Sequence, residues 1–310
     1  MEQAQEIGKT VNQPVDMNPI VQPSPRVIMA EATNNGNNTV PEQTAPTNGG
    51  TEDTEPSYIF AIGRVEARFP SLGIEKEFAQ ATGRAQTAGL TDRAALHNVL
   101  SQPQNRYLAR SLCWVLVIEG IDTYILQPTD PSEIGMLVEA IRPTPSPDDI
   151  DVVIGVRGPV APPEACNGLM VPIAMAVQIY SFDTQGLIKS IPKPETMKAE
   201  AFEPASRELF WRIKQLADNA GATDEHRALN FLAVRYPAIY ALATDAFARN
   251  FTLAAVEVRP SRLSGTRKIV QVIFTYTNRQ TDVPERHYCR VDVTELFPFL
   301  VTKLSPYYER

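Results

Sequence analysis

The chain is poor in the residues that most reactive sites are built from. Three histidines, three cysteines and two tryptophans are spread over 310 residues. There is no Cys-x-x-Cys pair, no His-Glu-x-x-His and no Gly-x-Ser-x-Gly elbow, which removes the common zinc signatures and the usual hydrolase nucleophile. No run of 18 apolar residues exists, so no hydrophobic helix is expected to span a bilayer. The first residues lack a basic stretch followed by an apolar one, so no secretory signal is read there. Cys113, Cys166 and Cys289 are an odd number at scattered spacings; that argues against a disulfide framework and for a reducing, cytoplasmic setting.

Aromatics are absent before Tyr58. Residues 1–57 are dominated by Pro, Asn, Gln, Thr and Glu, as in Asn34-Asn35-Gly36-Asn37-Asn38-Thr39. Such a segment buries too little apolar surface to offset about 1–2 kcal/mol of backbone entropy per residue, and a disordered arm or linker is expected. Charge divides at the same place. The arm carries eight acids and two bases, net −6, leaving 27 bases and 28 acids in residues 58–310. A near-neutral folded part has no electrostatic footprint for nucleic acid, and no polybasic cluster suggests a membrane surface.

What is present reads as an α+β domain over 58–310. Tyr58 to Phe69 is a strand that passes from an apolar run into alternation. Leu112 to Glu119 and Ile121 to Leu126 form a hairpin about Glu119-Gly120, and Asp151 to Gly158 is a further strand. A rigid loop follows, Pro159 to Gly168, and then an apolar segment, Leu169 to Tyr180, that suits a strand better than a helix. The middle is helical: Pro204 to Ala220 with Gly221 as its C-cap, a helix capped by Thr223, and another restarting at Pro237. Phe251 to Arg259, Arg267 to Thr277 and Arg286 to Thr294 alternate as strands of an antiparallel meander. The sum is a mixed or antiparallel sheet with a helical middle segment and a C-terminal meander behind the arm. The tail Leu296-Phe297-Pro298-Phe299-Leu300, with Tyr307 and Tyr308, is aromatic enough either to complete the core or to form a homodimer contact.

Candidate chemistry is thin. His287 and Cys289 share one face of a strand, and Cys166 in the Pro-rich loop with His226 at a helix start would join them in a zinc site. Cys166, His226 and Asn167 are the residues from which a Cys–His–Asn nucleophile would be assembled, without any supporting motif. Gly155-Val156-Arg157-Gly158 follows a strand but precedes prolines, so no helix N-terminus receives a phosphate. Asp148-Asp149-Ile150-Asp151 would hold Mg²⁺ or a basic peptide, but reads better as a solvated loop. Edge strands of the meander offer strand addition to a peptide or to a second copy. No residue is assigned as catalytic.

One resemblance goes further. Ile62-Gly63-Arg64-Val65-Glu66-Ala67-Arg68-Phe69-Pro70 and Ala217-Asp218-Asn219-Ala220-Gly221-Ala222-Thr223-Asp224-Glu225-His226-Arg227-Ala228-Leu229-Asn230, with Ser111–Gln127, Asp151–Ile173 and the closing Ser305-Pro306-Tyr307-Tyr308, resemble the C-terminal domain of unknown function of cyanobactin maturation proteases. These are the PatA- and PatG-type proteins of patellamide-like pathways. The similarity covers 58–310. It implies a part in maturing ribosomally made peptides, with the precursor peptide or pathway enzymes as partners. In that family the domain follows a subtilisin-like protease, of which this sequence has no triad, so the resemblance implies an accessory role rather than cleavage. The alternative is a cryptic, metal-assisted enzyme acting on the precursor.

Overall fold

A computed structural model describes residues 26–29, 56–84, 90–191, 199–215 and 218–308. The strands in chain order are β1 (Arg26–Met29), β2 (Tyr58–Arg68), β3 (Cys113–Ile118), β4 (Ile121–Pro128), β5 (Asp149–Val160), β6 (Pro172–Asp183), β7 (Phe251–Pro260), β8 (Ile269–Asn278), β9 (Pro284–Asp292) and β10 (Phe299–Pro306). The helices are α1 (Leu72–Arg84), α2 (Asp92–Leu100), α3 (Arg106–Ser111), α4 (Gly135–Ala140), α5 (Thr184–Ser190), α6 (Ala199–Lys214), α7 (Asp224–Arg235) and α8 (Ala238–Ala248). The α+β class expected from the sequence is observed.

The first five strands of the 58–183 segment close on themselves in the order β2-β3-β4-β6-β5. All neighbours are antiparallel except β4 and β6. With α4 between β4 and β5, this is the arrangement of the five-stranded Greek-key barrels of OB type. Closure depends on β2 changing partner midway: Tyr58–Gly63 pair with β5, Arg64–Arg68 with β3. Gly63 sits at the change. A Cβ there would lie 2.6 Å from the Val117 carbonyl oxygen, a distance no side chain tolerates. The barrel interior is filled by Ile59, Ala61, Val65, Trp114, Leu116, Leu126 and Val153, and α2, α3 and α4 plug its end.

The second sheet has the order β1-β7-β8-β9-β10. Its β7–β10 part is an antiparallel meander, and β1 joins β7 in parallel. One face of this sheet, through Val256, Val258, Val272, Phe274 and Cys289, meets α6–α8. The same core takes in Phe60, Ile62, Val152 and Ile154 from the outside of the barrel, so the two lobes share one apolar interior.

Several readings of the sequence change here. Arg26–Met29, inside the segment expected to be disordered, forms an edge strand; the rest of residues 1–55 lies outside the described residues. The tail is a full strand, β10, antiparallel to β9. Its side chains alternate: Leu300 and Leu304 pack on the core while Phe299 and Val301 stay exposed. Gly221 is not a helix C-cap, since α6 ends at Lys214. Among the described residues no helix is long and apolar enough to cross a membrane.

Candidate functional site

The two stretches that carry the family resemblance meet. β2 presents its backbone to the loop before α7, and this loop is the joint between barrel and sheet. Phe60 N donates to the Gly221 carbonyl at 2.9 Å. Asn230 on α7 returns a side-chain N–H to the Phe60 carbonyl at 2.8 Å. Gly221 has φ +72°, and a Cβ would lie 2.5 Å from that same carbonyl oxygen. Here glycine is required twice, for the left-handed backbone and for the close approach. Asn219 and Asn230 exchange amide hydrogen bonds at 2.8 and 3.1 Å, both buried, which fixes the rotamer of each. The Tyr124 hydroxyl donates to the Ala220 carbonyl at 3.0 Å, tying the loop to β4 as well.

α7 extends the joint toward the sheet. Thr223 caps it, its hydroxyl accepting from His226 N at 3.1 Å. Arg227 is 2 % exposed. It donates to the Val293 carbonyl at 2.6 Å and to the carbonyls of Glu295 and Leu296, so it fixes the β9–β10 connection. Its guanidinium lies 5.2 Å from the Tyr58 ring, at the entry to the barrel. Burial pulls its pKa below the ordinary arginine value. His226 is 5 % exposed and neither ring nitrogen has a hydrogen-bond partner. Burial holds its pKa below the ordinary histidine value, and the ring is neutral at pH 7. Arg227 and Asn230 stand in a stretch that carries the family resemblance, with no role assigned to either by the sequence. Their signal is polar residues three apart in a helix whose other side carries Ala228, Leu229 and Leu232, so that burial on both sides demands partners for them.

In OB-type barrels the ligand face is that of the second and third strands, flanked by the loop between the fourth and fifth. That face, β3 and β4, is closed here. Val115 and Ile125 are buried under Ala161, Leu169 and Val171 of the β5–β6 loop. A disulfide between Cys113 on β3 and Cys166 in that loop pins the cover, with Cα atoms 5.6 Å apart. The reading against a disulfide is corrected: these two cysteines are 53 residues apart in sequence, and the barrel brings them together.

The residues suggested for a zinc site are not assembled. Cys166 is spent in the disulfide. Cys289 is fully buried in the shared core, and burial pushes its thiol up to about 12. His287 lies two residues away, its Nε2 3.4 Å from Glu285. His226 belongs to the joint. No group of three His, Cys, Asp or Glu side chains poised to hold a metal occurs among the described residues, and this donor set does not fit zinc. A Cys–His–Asn nucleophile fails with Cys166. The Asp148–Asp151 cluster is not a solvated loop. Asp149 pairs with Arg142 at 2.5 Å, and Asp151, 2 % exposed, accepts from Val65 N and the Ser181 hydroxyl at 2.7 and 2.6 Å. Burial raises the Asp151 pKa above the ordinary carboxylate value despite these bonds. Gly155–Gly158 lies within β5.

Two recesses open on the surface, one beside the joint and one at the far end of β2. A cleft of about 490 Å³ lies between the β3–β4 turn and the α6–α7 connection, bridged by Lys214 and Glu119 at 3.0 Å. An apolar groove of about 690 Å³ lies between α1, α2 and the end of β2, lined by Phe69, Phe78, Leu96 and Ile141.

The fold and joint thus define an OB-type barrel fused through one helix to a five-stranded sheet. Residues 196–307, which hold α6–α8 and strands β7–β10, match the family model described as PatG C-terminal. A solved structure, the PatG domain of unknown function, superposes with a TM-score of 0.65 at 19 % identity, covering 81 % of this chain and 98 % of that one. The likeness establishes the shared fold over both lobes. No curated protein matches the chain.

Proposed function

We propose that this protein is an accessory, non-catalytic module of cyanobactin-type ribosomal peptide maturation, holding precursor peptide or pathway enzymes rather than cleaving them. The observation that carries the reading is the extent of the fold match. Nearly the whole PatG domain of unknown function has its counterpart here, over 81 % of this chain. The apolar groove beside α1 and the open edge of β10 give such a module two kinds of surface, one for side chains and one for strand addition.

Calorimetry with precursor leader and core peptides, and with the pathway's protease, tests the proposal. Binding without turnover is expected. Conversion of any such peptide by this chain, abolished by a single substitution, overturns the non-catalytic reading.

A further inference from the structure

The outer face of the second sheet carries side chains that neither the joint nor the accessory reading uses. In register, Arg259, Gln271, Arg290 and Thr302 form one cross-strand row, and Glu257, Ile273, Tyr288 and Ser305 the next. Ala255, Thr275 and Arg286 begin a third. Alternation turns these residues away from the shared core. Four aromatic and cationic groups on this face form a continuous stack. The Arg290 guanidinium stands 4.9 Å from the Tyr288 ring, and Tyr288 meets Tyr307 edge to face at 5.8 Å. Arg259 lies 5.5 Å from the Tyr307 ring and donates to its hydroxyl at 2.6 Å.

Ile273 beneath is 1 % exposed, so the stack is a layer rather than a fringe of loose side chains. Among the described residues neither Arg259 nor Arg290 meets a carboxylate, and Glu257 is the sole acid in the three rows. The Nε of Arg290 and the hydroxyl of Thr275 are buried without a hydrogen-bond partner. Arginine and tyrosine held in place offer charge and flat area with little rotamer freedom left to lose, which is why these residue types carry interface energy.

We infer that this face docks an extended acidic polypeptide, and that its occupant is the chain's own acidic stretch, residues 30–57. That stretch contains Glu31, Glu42, Glu52, Asp53 and Glu55 and no base. It leaves the sheet beside the stack: Met29, the last residue of β1, pairs with Val258, one residue short of Arg259. Guanidinium groups receive carboxylates in two parallel hydrogen bonds, the geometry a fixed arginine layer favours.

The test uses the full chain. Arg259→Glu with Arg290→Glu reverses the face, and cleavage of the arm by a glutamate-specific protease at low salt is followed by mass spectrometry. Loss of two partly exposed ion pairs should speed cleavage by about fivefold, and the difference should vanish at about 0.5 M salt, where charges are screened within a few ångströms. Should the reversed chain misfold, Glu31→Gln, Glu52→Gln, Asp53→Asn and Glu55→Gln leave the sheet untouched and should speed the cut after Glu42. Equal rates in wild type and variants at low salt overturn the inference. Protection that disappears on diluting the protein assigns the occupant to a second copy and overturns the intramolecular docking.

Discussion

Asn230 reaches from α7 to the backbone carbonyl of Phe60 in β2, at 2.8 Å, and so couples a helix of one lobe to the first barrel strand of the other. Both groups are buried, and Asn219 completes the amide pair. Asn230→Ala strands the Phe60 carbonyl and the Asn219 amide away from water, at roughly 1–3 kcal/mol each. Asn230→Asp should also destabilise, because a carboxylate has no N–H to give. Urea unfolding measures both; a loss under about 1 kcal/mol for Asn230→Ala would show that water replaces the amide.

Gly221→Ala should be more severe than its size suggests. The methyl enters at 2.5 Å from the Phe60 oxygen and 2.6 Å from the Ala61 Cα, and the φ of +72° adds strain of its own. A cost of roughly 2–4 kcal/mol is expected from the strained backbone and the overlap together. Gly265→Ala, also at positive φ but with nothing within 4 Å, isolates the backbone part of that cost. Equal melting temperatures for the two variants would contradict the close-approach account.

His226 makes stability depend on pH. Its folded pKa lies below the ordinary value because burial opposes the charged ring. Above about pH 6.5 both folded and unfolded chains hold it neutral, and its contribution is fully present. As the pH falls, the unfolded chain binds a proton that the folded chain refuses, so stability is lost until the folded pKa is passed. His287 is shifted in the same direction and for the same reason, so it shares the effect. His226→Leu should therefore reduce, without abolishing, the drop in melting temperature between pH 7.5 and pH 5.5. An undiminished drop would place the titration elsewhere.

The Cys113–Cys166 bond closes a loop of 53 residues. Reduction, or Cys113→Ser, should cost about 2–4 kcal/mol by freeing the unfolded chain. It should also raise hydrogen exchange in the β5–β6 loop, which packs over Val115 and Ile125. Exchange that rises evenly over the whole barrel would mean that the disulfide acts on the global fold and not on the cover.

Much of the secondary structure was legible because it is local. The alternation of β7, β8 and β9, the Glu119-Gly120 hairpin, the Thr223 cap and the restart at Pro237 all stand where the pattern placed them. What could not be read is what depends on distant residues. Barrel closure rests on β4 meeting β6 in parallel across an intervening strand, and no periodicity encodes that. The disulfide needed the same closure. α5 was unseen, its seven residues too short for a helical period to show. Gly221 was legible as a conformational singularity, yet its reason, the Phe60 carbonyl, lies on a strand far earlier in the chain. The site followed the same rule: the resemblance marked β2 and α7 separately, and only the fold brought them together.

The order of the strands along the chain has a consequence for synthesis. Every barrel strand lies within Tyr58–Asp183, whereas the second sheet, β1 apart, begins at Phe251. On the ribosome the barrel can close while the sheet is still unmade. Through that interval Phe60, Ile62, Val152 and Ile154 on the barrel's outer wall face water, because the helices and strands that cover them have not yet emerged. A nascent chain stalled in this window is a folded barrel with a bare apolar flank, the kind of species that chaperones bind and that aggregates when they do not.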